Sequence, residues 1–222
     1  MNQSVGIIVV FLMGQLLTGV CLAGAASKEE GKTFYSSVPT AYMDDPRRAE
    51  WQKPEKVVDH LLIKQGDIIA DIGAGTGFFT MLFAQRVGKN GMVYAVDVDE
   101  NMVQYVEKRA KKEGLNNVKT ILATPNEPLL PKSSMDVIFI CDTYLFFENR
   151  EQYLARLRDS LKNDGHLAIV SFNMKAEIPG APPSHKMIPR ERTIQEAEKA
   201  GFALEAEYFF LPYQDFLVFG KR

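Results

Sequence analysis

The sequence predicts an α/β fold: a mostly parallel seven-stranded sheet that ends in an antiparallel C-terminal hairpin and carries helices on both faces. Short apolar runs alternate along the chain with segments whose apolar residues recur at helical spacing, which is the pattern of a parallel sheet. Runs such as Val137-Ile138-Phe139-Ile140 contain no polar residue, as in strands that are buried on both sides. The last two apolar runs flank Pro212-Tyr213-Gln214-Asp215 and therefore predict the hairpin.

The predicted elements follow one another in the order that this architecture requires. The first helix has Pro54 near its start and an apolar stripe that includes Val57, Val58 and Leu61. Helices are predicted over residues 51–63, 78–87, 100–113, 150–161 and 192–200. Strands are predicted over residues 68–72, 92–97, 118–123, 137–141, 166–172, 203–211 and 216–220. Ligands of such folds bind at the carboxyl ends of the strands, so the residues that follow each strand are the candidate site residues.

The first 26 residues differ from the rest of the chain, because they contain no Asp, Glu, Lys or Arg. Residues 7–13 form an unbroken apolar run, and the small residues Ala23-Gly24-Ala25-Ala26 follow it. This pattern predicts a signal peptide that is cleaved after Ala25 or Ala26, which would export the protein to the periplasm or outside the cell. The segment before the run has no basic residue, however, and residues 5–26 are long enough to cross a bilayer. A membrane anchor over residues 1–26 is therefore the alternative.

The domain organisation follows from where the apolar pattern begins. Residues 27–50 are polar and contain Pro39 and Pro46, which predicts a linker, and residues 51–222 form the predicted domain. The 26 basic and 28 acidic residues are well mixed and give a net charge of −2, which argues against a broad nucleic-acid-binding face. The only cysteines are Cys21 and Cys141, so no disulfide framework is expected once residues 1–26 are removed, and the sequence predicts no metal site.

Three glycines at alternate positions follow the first strand in the stretch Asp71-Ile72-Gly73-Ala74-Gly75-Thr76-Gly77. Glycine permits unusual backbone angles and lets a ligand approach the main chain closely. The helix that begins after Gly77 also presents free backbone N–H groups at its N-terminus. A plain strand-to-helix turn does not need three glycines, so the stretch predicts a nucleotide-binding loop.

The spacing of these glycines separates two kinds of nucleotide site. Dinucleotide-binding folds have the pattern Gly-x-Gly-x-x-Gly, and Phe78 occupies the place of its third glycine here. Residues 71–77 instead strongly resemble the first motif of class I S-adenosylmethionine-dependent methyltransferases, and the resemblance extends over residues 51–220. It implies a Rossmann-like fold, S-adenosylmethionine as cofactor, and Asp71, Gly73, Gly75 and Gly77 as cofactor-binding residues.

Residues after the second and third strands continue the resemblance. Asp97 ends the second strand, and a carboxylate there can accept hydrogen bonds from both hydroxyl groups of a ribose. The resemblance implies this role for Asp97 and places Val98 along the adenine. Thr124 follows the third strand, where many members of the family carry an acid that binds the adenine amino group, and Asn126 is an alternative for that contact.

Residues after the fourth strand are the candidates for the methyl-transfer step. A methyl group moves from a sulfonium by direct displacement, so the enzyme mainly holds the nucleophile in line and supplies a base where one is needed. Asp142 faces the methyl donor in this topology, where it would hold the methionine amino group or orient a substrate, and Tyr144 is a candidate for the same task. The Asn/Asp-Pro-Pro-Tyr motif of enzymes that methylate base amines is absent, which favours a small-molecule acceptor.

A proline-rich loop over residues 173–189 follows the fifth strand and contains His185, a candidate base or substrate contact. Similar segments occur in a group of predicted, often exported, bacterial methyltransferases, which also share an N-terminal helix with the residues Arg48, Trp51 and Pro54. Many members of that group have a His pair where this chain has Leu145-Phe146.

The sequence thus predicts an S-adenosylmethionine-dependent methyltransferase that acts on an unidentified small molecule. Two alternatives stay open. A non-catalytic protein that binds an adenosyl ligand would suit an exported chain, because the methyl donor is a cytosolic metabolite. An NAD(P)-binding oxidoreductase would need a glycine in place of Phe78.

Overall fold

The computed structural model describes residues 40–177 and 181–222 and contains a seven-stranded sheet with the strand order β3-β2-β1-β4-β5-β7-β6. The strands are β1 Ile68–Ile72, β2 Met92–Asp97, β3 Val118–Leu122, β4 Met135–Cys141, β5 Leu161–Phe172, β6 Phe202–Tyr208 and β7 Gln214–Lys221. Strands β1 to β5 are parallel, and β7 lies antiparallel between β5 and β6. The predicted parallel sheet with a C-terminal antiparallel hairpin is confirmed.

The helices follow the strands as predicted, except at the N-terminal end of the domain. They are α1 Thr40–Met43, α2 Arg48–Gln52, α3 Pro54–His60, α4 Phe78–Val87, α5 Glu100–Lys112, α6 Arg150–Ser160 and α7 Arg190–Lys199, with 3₁₀ turns at Tyr144–Phe146 and Ser184–Lys186. The single helix predicted over residues 51–63 is wrong, because Lys53 is left-handed with a φ of 45° and separates α2 from α3. The proline ring of Pro54 disfavours helical geometry at the residue before it, while Pro54 itself is well placed in the first turn of α3.

Helices pack on both faces of the sheet because successive residues of its inner strands point to opposite sides. On one side, strand residues pack with helices α6 and α7 in a buried cluster that includes Ala70, Ile72, Ile138, Ile140, Leu154, Leu157 and Ala197. On the other side, strand residues pack with helices α3 and α4 in a cluster that includes Ile69, Val137, Phe139, Val57, Phe79 and Phe83. The sheet is therefore buried on both faces, as the unbroken apolar runs of its strands require.

The segment before residue 51 contributes to the folded domain where it is described. The structure shows α1 and α2 in the part of the predicted linker that begins at Thr40, and Asp44 pairs with Arg109 of α5 at 3.1 Å. The predicted signal peptide or anchor over residues 1–26 lies outside the described residues. Among residues 40–177 and 181–222, no helix is long and apolar enough to cross a membrane.

A buried ion pair joins the turn after β4 to the helices α6 and α7. The carboxylate of Glu196 accepts hydrogen bonds from the hydroxyl of Tyr144 at 2.7 Å and from Arg150 at 2.7 and 2.9 Å, and Arg192 donates at 2.9 Å. Burial alone would raise the pKa of Glu196, but the hydrogen bonds from Arg150, Tyr144 and Arg192 outweigh it and lower the pKa to about 2. This carboxylate therefore holds the segment after β4 against the helical layer.

We expect Glu196→Gln to lower the free energy of unfolding at pH 7 by about 2–4 kcal/mol, because it leaves Arg150 partly buried without its counter-charge. Tyr144→Phe removes one hydrogen bond and should cost about 1 kcal/mol. A lowered pKa means that the stabilisation by Glu196 is present above pH 4.5 and is lost as the pH falls toward 2. Urea unfolding at several pH values should thus show the wild type and Glu196→Gln converging in acid. Equal stabilities at pH 7 would contradict the assignment.

Candidate functional site

The glycine loop between β1 and α4 adopts a backbone that only glycine takes easily. Gly73, Gly75 and Gly77 have φ angles of +72°, +54° and +78°. The carbonyl oxygen of Val96 accepts hydrogen bonds from the N–H groups of Gly73 at 2.8 Å and Ala74 at 3.1 Å, so the loop is attached to the end of β2. A Cβ atom on Gly73 would lie 2.2 Å from the hydroxyl oxygen of Thr143. The loop is therefore enclosed between the segments that follow β2 and β4.

The carboxylate of Asp97 is turned toward this loop. Asp97 is 4% exposed, and its Oδ2 accepts a hydrogen bond from the N–H of Gly75 at 2.8 Å. Its Oδ1 accepts from the N–H of Asp99 at 3.0 Å, in the turn that begins α5. Val98 lies between these two acids and is 51% exposed. The predicted site residues after β1 and β2 are thus brought together, with a buried acid at their centre.

Asp71 lies near the end of β1, just before the same loop, and is buried like Asp97. It is 3% exposed, and its Oδ2 accepts a hydrogen bond from the hydroxyl of Thr80 in α4 at 2.6 Å. Burial raises the pKa of Asp71 to about 7, the hydrogen bond from Thr80 opposes this shift, and the negative charge of Asp97 adds to it. Two acids therefore share the loop, and the charge of Asp97 makes Asp71 harder to ionise.

Asp142 follows β4 and is held by two glutamines that are distant in sequence. It has a φ of +55°, which is unusual for a residue with a side chain. The side-chain amide of Gln214 lies 2.9 Å from both carboxylate oxygens, and that of Gln52 donates to Oδ2 at 3.2 Å. Desolvation raises the pKa of Asp142 to about 6, against the opposing effects of the Arg48 charge and the amide donors. The acid therefore joins α2, β4 and β7.

Cys141, which precedes Asp142, is a free thiol in contact with the side-chain amide of Gln52. Its Sγ lies 3.1 Å from Nε2 of Gln52. Burial and the charge of Asp142 raise the pKa of the Cys141 thiol well above its usual value. Cys141 is therefore protonated at neutral pH and is a packing residue rather than a nucleophile, as its position in an apolar strand predicts.

The other predicted site residues have different surroundings. Thr124 is exposed, and its hydroxyl accepts a hydrogen bond from the N–H of Glu127 at 3.0 Å within a tight turn. His185 is exposed on the 3₁₀ turn at Ser184–Lys186. Tyr144 is fully buried and its hydroxyl donates to Glu196, so this hydroxyl is not free to orient a substrate. The catalytic role predicted for Tyr144 is corrected to a structural one.

Two site residues that the sequence did not reveal are Gln52 and Gln214. The sequence places Gln214 in the turn between the last two predicted strands. In the structure, Gln214 is the first residue of β7, which runs antiparallel to β5, and it pairs with Phe172 at the carboxyl end of β5. The predicted hairpin therefore contains the information needed to locate Gln214, because an antiparallel strand begins at the edge of the sheet where its parallel neighbours end. Gln52 lies four residues after Arg48, which donates to its side-chain oxygen at 2.7 Å.

The arrangement suits a ligand that approaches the main chain beside acidic groups. The hydroxyl of Thr76, within the loop, is buried and has no hydrogen-bond partner among the described residues. Within residues 40–177 and 181–222, no group of three or more His, Cys, Asp or Glu side chains is arranged to hold a metal ion.

Comparisons with known proteins connect this geometry to one family. The sequence profile described as "Methyltransferase domain" matches residues 63–204. The chain is 30% identical over 112 residues to the ubiquinone/menaquinone biosynthesis C-methyltransferase UbiE of Hydrogenovibrio crunogenus, covering 50% of this chain and 44% of that protein. It is 29% identical over 119 residues to the aklanonic acid methyltransferase DauC of Streptomyces sp. strain C5, covering 53% and 54%. The chain thus spans about half the length of these curated relatives.

The crystal structure of an S-adenosylmethionine-dependent methyltransferase from Aquifex aeolicus is similar over almost its whole length. It superimposes with a TM-score of 0.77 at 28% sequence identity and covers 86% of this chain and 98% of that one. The similarity therefore includes the sheet and the loops that carry the candidate site.

We expect Gly73→Ala to prevent ligand binding in the loop and to destabilise the domain, because its Cβ would overlap Thr143. Gly114→Ala is the matched control, since Gly114 has a φ of +71° and nothing within 4 Å of an added Cβ. Both variants incur a strain of about 1–2 kcal/mol from a left-handed backbone. Urea unfolding should show a clearly larger loss for Gly73→Ala, and calorimetry with S-adenosylhomocysteine should detect binding only to the control. Equal losses of stability in the two variants would contradict this expectation, because they would mean that Thr143 can move aside without destabilising the domain.

Proposed function

Because the chain belongs to the methyltransferase-domain family, we propose that it transfers a methyl group from S-adenosylmethionine to a small-molecule acceptor. The observation that carries this proposal is the contact between Gly75 and the buried carboxylate of Asp97, 2.8 Å apart at the strand ends. An acid beside a glycine loop at this place is suited to the ribose hydroxyls of an adenosyl ligand.

The acidic residues of the site suit the positively charged groups of the cofactor. S-adenosylmethionine carries a positively charged sulfonium and an ammonium group, and three carboxylates, Asp71, Asp97 and Asp142, border the loop. We assign the ribose to Asp97 and the ammonium group to Asp142, with the exposed Val98 along the adenine. Thr124 and Asp71 stay predicted cofactor residues, Thr124 near the adenine and Asp71 near the methionine end.

The sulfonium of the cofactor supplies an activated methyl group, so the chain needs mainly to orient an acceptor and exclude water. Asp142 has a pKa of about 6, which leaves it ionised at neutral pH and able to hold the ammonium group of the methyl donor. His185 remains the predicted base; it lies on an exposed turn within the proline-rich loop.

The acceptor class is proposed from the names of the relatives. They are described as methyltransferases of quinone biosynthesis and of aklanonic acid, which are small molecules. The well-mixed charges of this chain also speak against a nucleic-acid substrate. The oxidoreductase alternative is disfavoured because Phe78, at the start of α4, stands where a dinucleotide-binding loop has its third glycine.

Calorimetry of the full-length protein should detect S-adenosylmethionine and S-adenosylhomocysteine but not NADH. Asp97→Asn removes the charge that accepts the ribose hydroxyls and should weaken both adenosyl ligands by about tenfold or more. Asp99→Asn is the matched control, because Asn caps a helix as well as Asp does, and Asp99 caps α5 through the N–H of Asn101 at 2.8 Å. Binding of NADH alone would overturn the proposed function, and adenosyl binding with no acceptor in a broad screen would favour a non-catalytic binding protein.

We further propose that residues 1–26 direct export, with membrane anchoring as the alternative, on the basis of their uncharged apolar sequence. Alkaline phosphatase fused after Arg222 should be active in bacterial cells, because that enzyme needs an oxidising compartment for its disulfides. N-terminal sequencing of the mature protein would then separate cleavage after Ala25 or Ala26 from an intact anchor. An inactive fusion of normal abundance would place the domain in the cytosol and contradict export.

A further inference from the structure

Three features at Asp142 each cost stability. Its φ of +55° is a strained conformation for a residue with a Cβ. Its carboxylate is desolvated enough to raise its pKa to about 6. The side-chain oxygen of Gln214, a residue that is 2% exposed, is buried and has no hydrogen-bond partner within residues 40–177 and 181–222. Unfavourable features that gather at one residue of a candidate site indicate that the arrangement serves function rather than stability.

The two glutamines can face Asp142 in only one orientation. Arg48 donates to the side-chain oxygen of Gln52 at 3.1 and 2.7 Å, so the amide nitrogen of Gln52 must point toward Asp142. An ionised carboxylate accepts hydrogen bonds and cannot donate them, so the nitrogen of Gln214 must also face it. The unpartnered oxygen of Gln214 is the consequence. The carboxylate is therefore held from α2 on one side and from β7 on the other.

We propose that Gln214 and Gln52 are positioning residues, which hold the carboxylate of Asp142 as the acceptor for the ammonium group at the methionine end of the methyl donor. This inference rests on the proposed function. Glutamine suits the task because a neutral amide orients a carboxylate without neutralising it. A lysine or arginine in direct contact would cancel the charge that attracts the ammonium group.

The same amides help to keep Asp142 ionised. Two other groups act on the pKa of Asp142: the charge of Arg48 on α2 and the thiol of Cys141 on β4. Asp71 of β1 acts on the neighbouring thiol of Cys141 through its charge. Hydrogen bonds to the charged form of an acid lower its pKa, so the glutamines oppose the effect of desolvation. Removing either glutamine should therefore raise the pKa of Asp142 toward neutral pH and weaken its hold on a cationic group.

A structural role for Gln214 predicts a different outcome from a positioning role. Gln214→Met keeps the length of the side chain and removes both the amide donor and the unpartnered oxygen. The lost hydrogen bonds and the removed orphan carbonyl offset each other, so the midpoint of urea unfolding should stay close to that of the wild type. A side chain that is retained for stability would instead lower this midpoint when it is replaced.

The test measures binding of three ligands to the full-length protein at pH 7.5 by calorimetry: S-adenosylmethionine, S-adenosylhomocysteine and 5′-methylthioadenosine. The third ligand has the same adenosine and sulfur but no amino-acid end. Gln214→Met and Asp142→Asn should weaken the first two by about tenfold and leave methylthioadenosine unchanged. Gln52→Met should do the same through the second donor. Gln104→Met, on the exposed face of α5, is the matched control and should change nothing.

Measuring ligand affinity at several pH values provides a second test, because a purely structural role for Gln214 would not change the pH dependence. Affinity of the wild type for S-adenosylhomocysteine should fall as the pH drops through about 6, where Asp142 becomes protonated, and this component should be absent in Asp142→Asn. In Gln214→Met the fall should begin at a higher pH. Equal weakening of methylthioadenosine, or an unshifted pH profile with a lowered unfolding midpoint, would overturn the inference. If the wild type binds none of the three ligands, the proposed function itself fails.

Discussion

The hydrogen bond from the N–H of Gly75 to the carboxylate of Asp97 is the contact on which the rest of the site depends. It joins the loop after β1 to the end of β2, and it forms only because the glycines before and after it adopt left-handed angles. The same loop backbone leaves room for Thr143, which connects it to the segment that carries Asp142. One strained loop thus brings together groups from three neighbouring strands.

The acidic side chains of the site suit a ligand that brings positive charge. Asp71 and Asp142 both have pKa values raised by desolvation, to about 7 and about 6, so ionising them in the free protein is costly. A sulfonium and an ammonium group offset that cost when they bind, whereas an anionic pyrophosphate would add to it. This electrostatic argument and the position of Phe78 independently separate a methyl donor from a dinucleotide.

Most of the fold was predictable from the sequence, because strands that are buried on both faces leave unbroken apolar runs. The glycine loop was predictable because its backbone angles restrict the residue type to glycine. Asp97 was predictable because it ends the second strand, where ligands of such folds bind. The side chains around Asp142 were not, because the sheet topology, and not the local sequence, brings Gln52 and Gln214 together. Tyr144 was misassigned because position after a strand shows where a residue lies, whereas only packing reveals that its hydroxyl turns to Glu196. The break between α2 and α3 follows from a local rule as well, because Pro54 disfavours helical geometry at Lys53.

Residues of α1, α2 and the turn between them contact the site, although they precede residue 63, where the match to the methyltransferase domain begins. Asp44 pairs with Arg109, which also donates to the carbonyl oxygen of Thr76 in the glycine loop at 3.1 Å. Gln52 reaches Asp142 at the other end of the same segment. The predicted linker over residues 27–50 is a polar sequence with two prolines, yet Asp44 within it pairs with the arginine that contacts the glycine loop. Deleting residues 40–52 would therefore remove this pair, one of the two amides that hold Asp142, and the packing of Trp51 against Phe172.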